Sequence, residues 1–216
     1  QVLTNCRTIC KSWKDFIDQN KVVQFRIVKK YTDCSEPTLK KFCSKANIET
    51  IANQSVIDYR YRPRWNFQLN GFTPLHAAAT NGHLINCQLM IENLSDKNPK
   101  TGGGDSTTPL HIAAIEGHFK VFKLFFESAQ EKNPINSFNG SHHSGTTPFH
   151  HAAFFGHLDI CQHILDYLGN ISPANKHGDT PLHDAASNGH FEVFKLIFEN
   201  MDEKNPKNKG DTTPFT

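Results

Sequence analysis

The chain has 216 residues, of which 37% are hydrophobic, and a formal net charge of +2. It is apolar enough to bury a core, but no apolar run approaches the ~18 residues that a membrane-spanning helix needs. The charge is uneven, because residues 1–70 hold 13 Lys and Arg and 6 Asp and Glu, whereas residues 71–216 hold 10 and 15. The two parts are therefore predicted to be different units.

Residues 1–20 carry apolar side chains at helical spacing. The stripe consists of Leu3, Cys6, Ile9, Cys10, Trp13, Phe16 and Ile17. This segment resembles the second half of an F-box, whose end commonly reads L-x-x-V-C-K-x-W-x-x-L-I, and the first half would lie before Gln1. The resemblance implies a substrate receptor of a cullin-type ubiquitin ligase, whose complete F-box docks the ligase adaptor. A generic amphipathic helix is the alternative.

Residues 21–65 are predicted to form a helical connector that caps the N-terminal end of the part that follows. Ser35-Glu36-Pro37 is typical of a helix start, and a second short helix is expected over residues 48–57. Arginines alternate with aromatic residues over 59–65, a composition that nucleic acid could use. No nucleic-acid-binding motif accompanies them, so we expect a solvated basic connector and no nucleic-acid partner.

A tetrapeptide, Thr-Pro-Leu/Phe-His, recurs from residue 73 onward. Its copies begin at Thr73, Thr108, Thr147 and Thr180, and a shortened fifth copy begins at Thr213. These threonines are 35, 39, 33 and 33 residues apart. In each full copy two alanines and then Gly-His follow, and an apolar segment comes after them, as at residues 191–198. A period in this range is typical of stacked-repeat proteins.

The full pattern, T-P-L-H-x-A-A-x-x-G-H-x-x-V-x-x-L-I, resembles the ankyrin repeat over residues 66–216. The resemblance implies an all-α solenoid of four near-complete helix-turn-helix repeats and the start of a fifth. Threonine suits the N-cap and proline the first helical position, while each glycine can end a helix in the left-handed conformation. A single helix pair cannot bury its own apolar face, so we expect stability to come from stacking.

The turns between repeats differ in length. Relative to the last two turns, the first carries two extra residues and the second six, and both inserts are rich in Gly, Ser, Asn and His. We expect mobile loops on one edge of the stack at these inserts. Two positions depart from the apolar pattern of the second helices, Asn86 and His163. Either is expected to weaken an interface between repeats locally.

We find no residue pattern typical of catalysis, of a cofactor or of a metal site. The sequence has no P-loop, G-x-S-x-G or H-E-x-x-H motif. Eight of the 13 histidines occupy motif positions, where we expect hydrogen bonds between repeats. The six cysteines lack zinc-type spacing and are predicted to be buried thiols, which favours an intracellular location, cytoplasmic or nuclear, over secretion.

The resemblance also implies a concave binding surface on the first helices and the turns. The candidate partner-binding residues are the two variable residues before each Gly-His pair and two turn residues. They are Thr80, Asn81, Ile115, Glu116, Phe154, Phe155, His177, Asp179, Ser187 and Asn188. We expect Ile115, Phe154 and Phe155 at the centre of the contact, because aromatic residues are enriched where partners bind. The alternative is that Phe155 packs against the insert at residues 136–145.

These observations predict a non-enzymatic protein-interaction module and, within that class, the substrate-binding repeats of an F-box-type ubiquitin-ligase receptor. One alternative is a scaffold that tethers proteins at a membrane or the cytoskeleton. Another is an enzyme whose catalytic domain lies outside residues 1–216. The chain has no initiator methionine and ends within a repeat, so we expect it to be an internal part of a longer protein.

Overall fold

The computed structural model describes residues 73–101, 104–137, 144–169 and 172–215. The predicted F-box-like segment at 1–20 and the predicted connector at 21–65 lie outside the described residues. The part that the structure describes contains eight helices and no strand. They are α1 (Pro74–Thr80), α2 (Leu84–Asn93), α3 (Pro109–Glu116), α4 (Phe119–Ser128), α5 (Pro148–Phe155), α6 (Leu158–Leu168), α7 (Pro181–Ser187) and α8 (Phe191–Asn200).

The helices form four pairs, one for each full copy of the repeated motif. Each odd-numbered helix begins at the motif proline, and each even-numbered helix begins directly after the Gly-His pair. The odd-numbered helices pack side by side in chain order, and the even-numbered helices form a second row in the same order. This arrangement confirms the predicted all-α stack of helix-turn-helix repeats.

A capping box built from the motif threonine and histidine starts each odd-numbered helix. The threonine is the N-cap, with an extended backbone, and its side chain pairs with the backbone N–H of the motif histidine. In return, Nδ1 of the histidine accepts a hydrogen bond from the threonine backbone N–H, at 3.1 Å between Thr73 and His76. Two backbone donors that lack partners inside the helix are satisfied in this way. The threonine cap agrees with the prediction, and the returning bond of the histidine adds to it.

Glycines in the left-handed conformation end the odd-numbered helices. Gly117 and Gly156 close α3 and α5 with φ of 73° and 76°. A Cβ atom on Gly117 would lie 2.4 Å from the ring of His157, which belongs to the next repeat. A side chain at this position would therefore be strained by its backbone and would also push the neighbouring repeat away.

The core is continuous through the stack. The apolar residue of each tetrapeptide is 0% exposed, at Leu75, Leu110, Phe149 and Leu182. The even-numbered helices add further buried side chains, which include Cys87, Phe122, Phe125, Ile160, Ile164, Val193 and Ile197. Fully burying a side chain of this kind contributes about 1.5–3 kcal/mol relative to leaving it in water.

The two departures from the apolar pattern of the even-numbered helices occupy different surroundings. Asn86 is 3% exposed. His163 is half-buried, and its ring meets Phe119, Phe122 and Phe126 edge-on, with centroids 5.8, 6.3 and 5.1 Å away. Such edge contacts between aromatic rings are favourable. His163 therefore joins α4 to α6 by aromatic contacts, and the weakening expected at either position stays a prediction.

A second repeated motif, Lys-Asn-Pro, follows α2, α4 and α8, and its lysine caps the preceding helix. The copies begin at Lys97, Lys132 and Lys204. The three ammonium groups donate to carbonyls at the helix C-termini, those of Ile91, Phe126 and Phe198 respectively. A cation at this end also interacts favourably with the helix dipole. The turn after α6 lacks the motif.

The asparagine of this motif reaches the next repeat. Oδ1 of Asn98 accepts from the backbone N–H of Leu110 at 3.1 Å, and Oδ1 of Asn133 accepts from that of Phe149 at 3.4 Å. Both donors lie in the first turn of an odd-numbered helix. Adjacent lysine and asparagine side chains therefore connect the end of one repeat to the beginning of the next.

Candidate protein-binding face

Three positions of each odd-numbered helix unit share one helical face. They are the residue after the motif histidine and the two residues before the Gly-His pair, at i, i+3 and i+4. Because the odd-numbered helices pack side by side, equivalent positions line up along the stack. We call these residues the first-helix face: Ala77, Thr80, Asn81, Ile112, Ile115, Glu116, His151, Phe154, Phe155, Asp184, Ser187 and Asn188.

The exposure of the first-helix face changes along the stack. Its exposed residues are Asn81, Ser187 and Asn188, and its half-buried residues are Glu116, Phe154, Phe155 and Asp184. The other five are buried. The half-buried and exposed residues are concentrated in the third and fourth repeats, so the open part of this face lies toward the C-terminal end.

Two of the predicted partner-binding residues are inaccessible, and the prediction that Ile115 lies at the centre of the contact is wrong. Ile115 is 1% exposed and Thr80 is 9% exposed. Ile115 lies on α3, which packs between α1 and α5, and its carbonyl accepts a hydrogen bond from Nε2 of His157 at 3.0 Å. Thr80 donates its hydroxyl to the carbonyl of His76 at 2.9 Å. Burial of this aliphatic side chain between helices removes apolar surface from water, which is favourable.

Phe154 and Phe155 form a half-buried aromatic pair. Their ring centroids are 5.2 Å apart with an interplanar angle of 66°, and Phe155 stacks on His157 at 6.1 Å. The carbonyl of Phe154 accepts from Nε2 of His190 at 2.9 Å. Most of the insert against which Phe155 was expected to pack, residues 138–143, lies outside the described residues. Contact with a partner and contact with the insert both stay predictions.

The turn residues His177 and Asp179 lie beside the fourth repeat. His177 is exposed and Asp179 is half-buried. Oδ1 of Asn175 accepts from the backbone N–H groups of both, at 2.8 and 3.0 Å. The Asp179 carboxylate accepts from Nδ2 of Asn208 at 2.6 Å and from Nδ2 of Asn175 at 3.4 Å. Asp179 therefore links two successive turns, in addition to its predicted place on the rim of the binding surface.

The sequence-based site omits Asp184, the residue after the motif histidine in α7. Asp184 is half-buried on the same face as Ser187 and Asn188. Burial, with a contribution from the charge of Asp179, raises the pKa of the Asp184 carboxyl to about 8. Helical spacing from Ser187 and Asn188 was the signal that could have identified it.

Most motif histidines connect repeats, as the sequence predicts. Nε2 hydrogen-bonds to a backbone carbonyl of an adjacent repeat or turn at distances of 2.9–3.3 Å. The histidines are His76, His118, His150, His157, His183 and His190. These bonds place the imidazoles in structural roles.

Three of the motif histidines are buried deeply enough to stay neutral. Burial lowers the pKa of His76 and His150 to about 4 and that of His111 to about 3. His111 differs from the others, because its buried Nε2 forms no hydrogen bond although the carbonyls of Pro134 and Thr146 lie near enough to oppose the shift. The neutral imidazoles contribute hydrogen bonds and packing to the stack.

The described residues form no metal-binding cluster, and their cysteines are buried. In the part of the chain that the structure describes, no group of three or more His, Cys, Asp and Glu is arranged to hold a metal. Cys87 and Cys161 are free and buried. Burial raises the pKa of Cys87 to about 12 and moves that of Cys161 in the same direction. Both thiols are therefore protonated and unreactive at neutral pH.

No helix among the described residues has the length and apolar character to cross a bilayer.

Comparison with known proteins identifies the family. No curated protein matches the chain. A family model described as ankyrin repeats (3 copies) matches residues 41–136 and 134–208. With the stacked helix pairs, the capping boxes and the Gly-His turns, this match shows that the chain belongs to the ankyrin-repeat family, whose members are protein–protein interaction modules and typically non-enzymatic.

Proposed function

We propose that this chain is a non-enzymatic protein-binding module and that its partner contacts the open part of the first-helix face. The observation that carries the proposal is the aromatic pair Phe154 and Phe155, which is half-buried in the chain alone. Half-buried rings keep apolar surface that a partner can remove from water. The residues whose truncation weakens binding most are usually aromatic residues or arginines near the centre of an interface.

Polar residues around the aromatic pair complete the proposed contact. Glu116 precedes the pair by one repeat, Ser187 and Asn188 follow it by one repeat, and His177 and Asp179 lie on the neighbouring turn. An apolar centre with a polar rim is the usual anatomy of a protein interface. Asn81 extends the same face toward the N-terminal end and belongs to the proposed rim as well.

Site-specific photocrosslinking tests the proposal. A benzophenone side chain is placed at Phe155 and, as the matched control, at Lys195, which is exposed on α8 in the other row of helices. In extracts of the source cells we expect a specific crosslinked protein from position 155 and none from position 195. Phe154→Ala is then expected to weaken the affinity for that protein by more than about 1 kcal/mol. Equal crosslinking from both positions, or an unchanged affinity of Phe154→Ala, contradicts the proposal.

We also propose a narrower role, that of the substrate-binding repeats of an F-box-type ubiquitin-ligase receptor inside the cell. Two observations support it: the F-box-like pattern of residues 1–20, and the buried free thiols Cys87 and Cys161, which suit a reducing compartment. A pull-down with the ligase adaptor tests it. We expect no binding by residues 1–216 and binding by a longer protein with a complete F-box. Failure of the longer protein to bind contradicts the role, whereas tight binding by this chain alone shows that the interpretation of residues 1–20 as half of an F-box is wrong.

A scaffold role at a membrane or the cytoskeleton is the second candidate. The repeats support it equally, because scaffolds use the same kind of protein-binding face. Cell fractionation separates the two functions: the ligase receptor co-purifies with the adaptor, whereas the scaffold sediments with membranes or filaments and leaves the adaptor behind.

A further inference from the structure

We propose that the protein segment bound by the first-helix face carries an arginine or lysine side chain, and that this cation pairs with Asp184. The inference rests on the proposed function, because it assigns the chemistry of the segment that occupies the same face. Three features of the fourth repeat and its neighbours support it: the charges of the odd-numbered helices, the surroundings of the Asp184 carboxyl, and the aromatic pair on the preceding helix.

The two rows of helices differ in the charges that they carry. Apart from histidines, the ionisable residues of α1, α3, α5 and α7 are the two carboxylic acids Glu116 and Asp184, without any lysine or arginine. The even-numbered helices carry Lys120, Lys123 and Lys195 as well as acids. The first-helix face is therefore complementary to a cation, whereas the opposite row is of mixed charge.

The Asp184 carboxyl has no partner within the described part of the chain. The side chains of Ser187 and Asn188 donate to the backbone carbonyl of Asp184, at 3.2 and 2.8 Å, so they do not satisfy its carboxylate. The salt bridges found among the described residues join Lys123 to Glu127 and Lys207 to Asp211, and leave Asp184 out. A half-buried carboxylate without a cation is unfavourable in the free protein.

The neighbouring turn adds negative charge to this site. Asp179 accepts its hydrogen bonds from neutral amides, so these bonds bring no positive charge to its carboxylate. Lys176 and Lys209 are exposed on the same turns, but neither forms a salt bridge with Asp179 or Asp184. The charge of Asp179 adds to burial in raising the pKa of Asp184. A cation from outside the chain would relieve both effects, since an opposite charge favours the ionised form.

The aromatic pair suggests what lies beside the cation. Phe154 and Phe155 are on α5, which packs directly against α7. A guanidinium group can pair with a carboxylate and also stack on an aromatic ring, and a lysine can lie over a ring in the same way. We therefore expect a partner segment in which a basic residue is adjacent to an apolar or aromatic one.

Peptide selection tests this inference. A random peptide library displayed on phage is selected at pH 8 on the 216-residue chain, and the enriched peptides are synthesised for affinity measurement. We expect the enriched sequences to place Arg or Lys beside an apolar residue. Asp184→Asn is expected to weaken binding by about tenfold or more, a change of 1.4 kcal/mol. Glu192→Gln, at an exposed position of α8, is the matched control and is expected to leave affinity unchanged.

A second variant and a stability measurement keep the test independent of folding. Replacing the basic residue of the peptide by Gln is expected to cause the same loss with the unmodified chain and no further loss with Asp184→Asn. The urea midpoint of Asp184→Asn at pH 8 is expected to rise, because the variant removes an uncompensated charge. If Asp184→Asn binds the peptide more weakly but is more stable, the loss of affinity reflects loss of the contact with the cation and not damage to the fold.

Different failures identify which proposal is wrong. Enrichment of acidic or uncharged peptides, or equal affinity of Asp184→Asn and the unmodified chain, overturns the inference. If Phe154→Ala weakens binding while Asp184→Asn does not, the proposed function stands and the basic partner is wrong. If neither variant weakens binding, or the library yields no binder, both the proposed function and the inference are overturned.

Discussion

The second and fourth repeats use the same positions of their first helices for opposite purposes. In the second repeat Ile112 and Ile115 are 2% and 1% exposed. In the fourth repeat Asp184 is half-buried and Ser187 and Asn188 are exposed. Helix α3 packs between α1 and α5, whereas α7 packs against α5 alone among the described odd-numbered helices. The alignment of the repeats therefore predicts the position of a side chain on its helix. The type of side chain and the flanking helices decide whether it packs in the stack or remains exposed.

Truncation at the equivalent positions Ile115 and Ser187 is the strongest test of this difference. Ile115→Ala is expected to cost about 2–5 kcal/mol of unfolding free energy, the range for a buried aliphatic side chain. Ser187→Ala, at the exposed equivalent, is expected to change it by no more than about 0.5 kcal/mol. Urea titration of both variants measures the two values. Equal midpoints would show that Ile115 is not part of the packed interior.

The buried histidines and Asp184 are expected to give the unfolding free energy opposite dependences on pH. His76, His111 and His150 have pKa values lowered from 6.5 to about 4, 3 and 4, so they stabilise the folded state fully above pH 6.5. As pH falls below 6.5 the unfolded chain binds protons first, and stability is lost until the folded values are reached. Each pKa unit corresponds to about 1.4 kcal/mol.

Asp184 acts in the opposite direction. Its pKa is raised from 3.8 to about 8, so its unfavourable contribution grows as pH rises between these values. The Asp184→Asn variant removes this opposing contribution. In chemical unfolding across pH 4–8, its stability is expected to fall steadily below pH 6.5. A pH-independent stability in this variant would contradict the burial of neutral histidines.

The lysine caps give the smallest expected effect. Lys132 donates to the carbonyls of Phe126 and Glu127 and lies 5.7 Å from the Phe126 ring centroid. Lys132→Met is expected to cost about 0.5–1.5 kcal/mol, the usual contribution of one hydrogen bond. Lys195→Met, at an exposed position of α8, is the matched control and is expected to stay within about 0.5 kcal/mol. If thermal unfolding shows the same change for both lysines, the capping role is wrong.

Local sequence signals predict the described helices but not the exposure of their side chains. Thr73 and Gly82 predict the start and end of α1. This succeeds because helix capping and the left-handed conformation of a glycine depend only on a few neighbouring residues. The burial of Ile115 depends on the flanking helices α1 and α5, which the local pattern does not describe. Asp184 follows the motif histidine, so the pattern of two variable residues before Gly-His does not include it.

The Lys-Asn-Pro motif shows a different limit of the sequence-based prediction. Its three copies are visible in the sequence, but they lie in turns whose conformation has no periodic signal. Their role follows only once Lys132 and Asn133 are placed against the helices before and after them. The repeat stack could therefore be predicted, whereas the contacts that join one repeat to the next through the turns required the structure.

Mapping the bound peptide on the protein tests the central claim most directly. An isotope-labelled sample of the chain is titrated with an enriched basic peptide, and the amide chemical shifts are followed by NMR. The largest changes are expected on the open part of the first-helix face, at Phe154, Phe155, Asp184, Ser187 and Asn188. Changes confined to α2, α4, α6 and α8, with the first-helix face unaffected, would contradict the account.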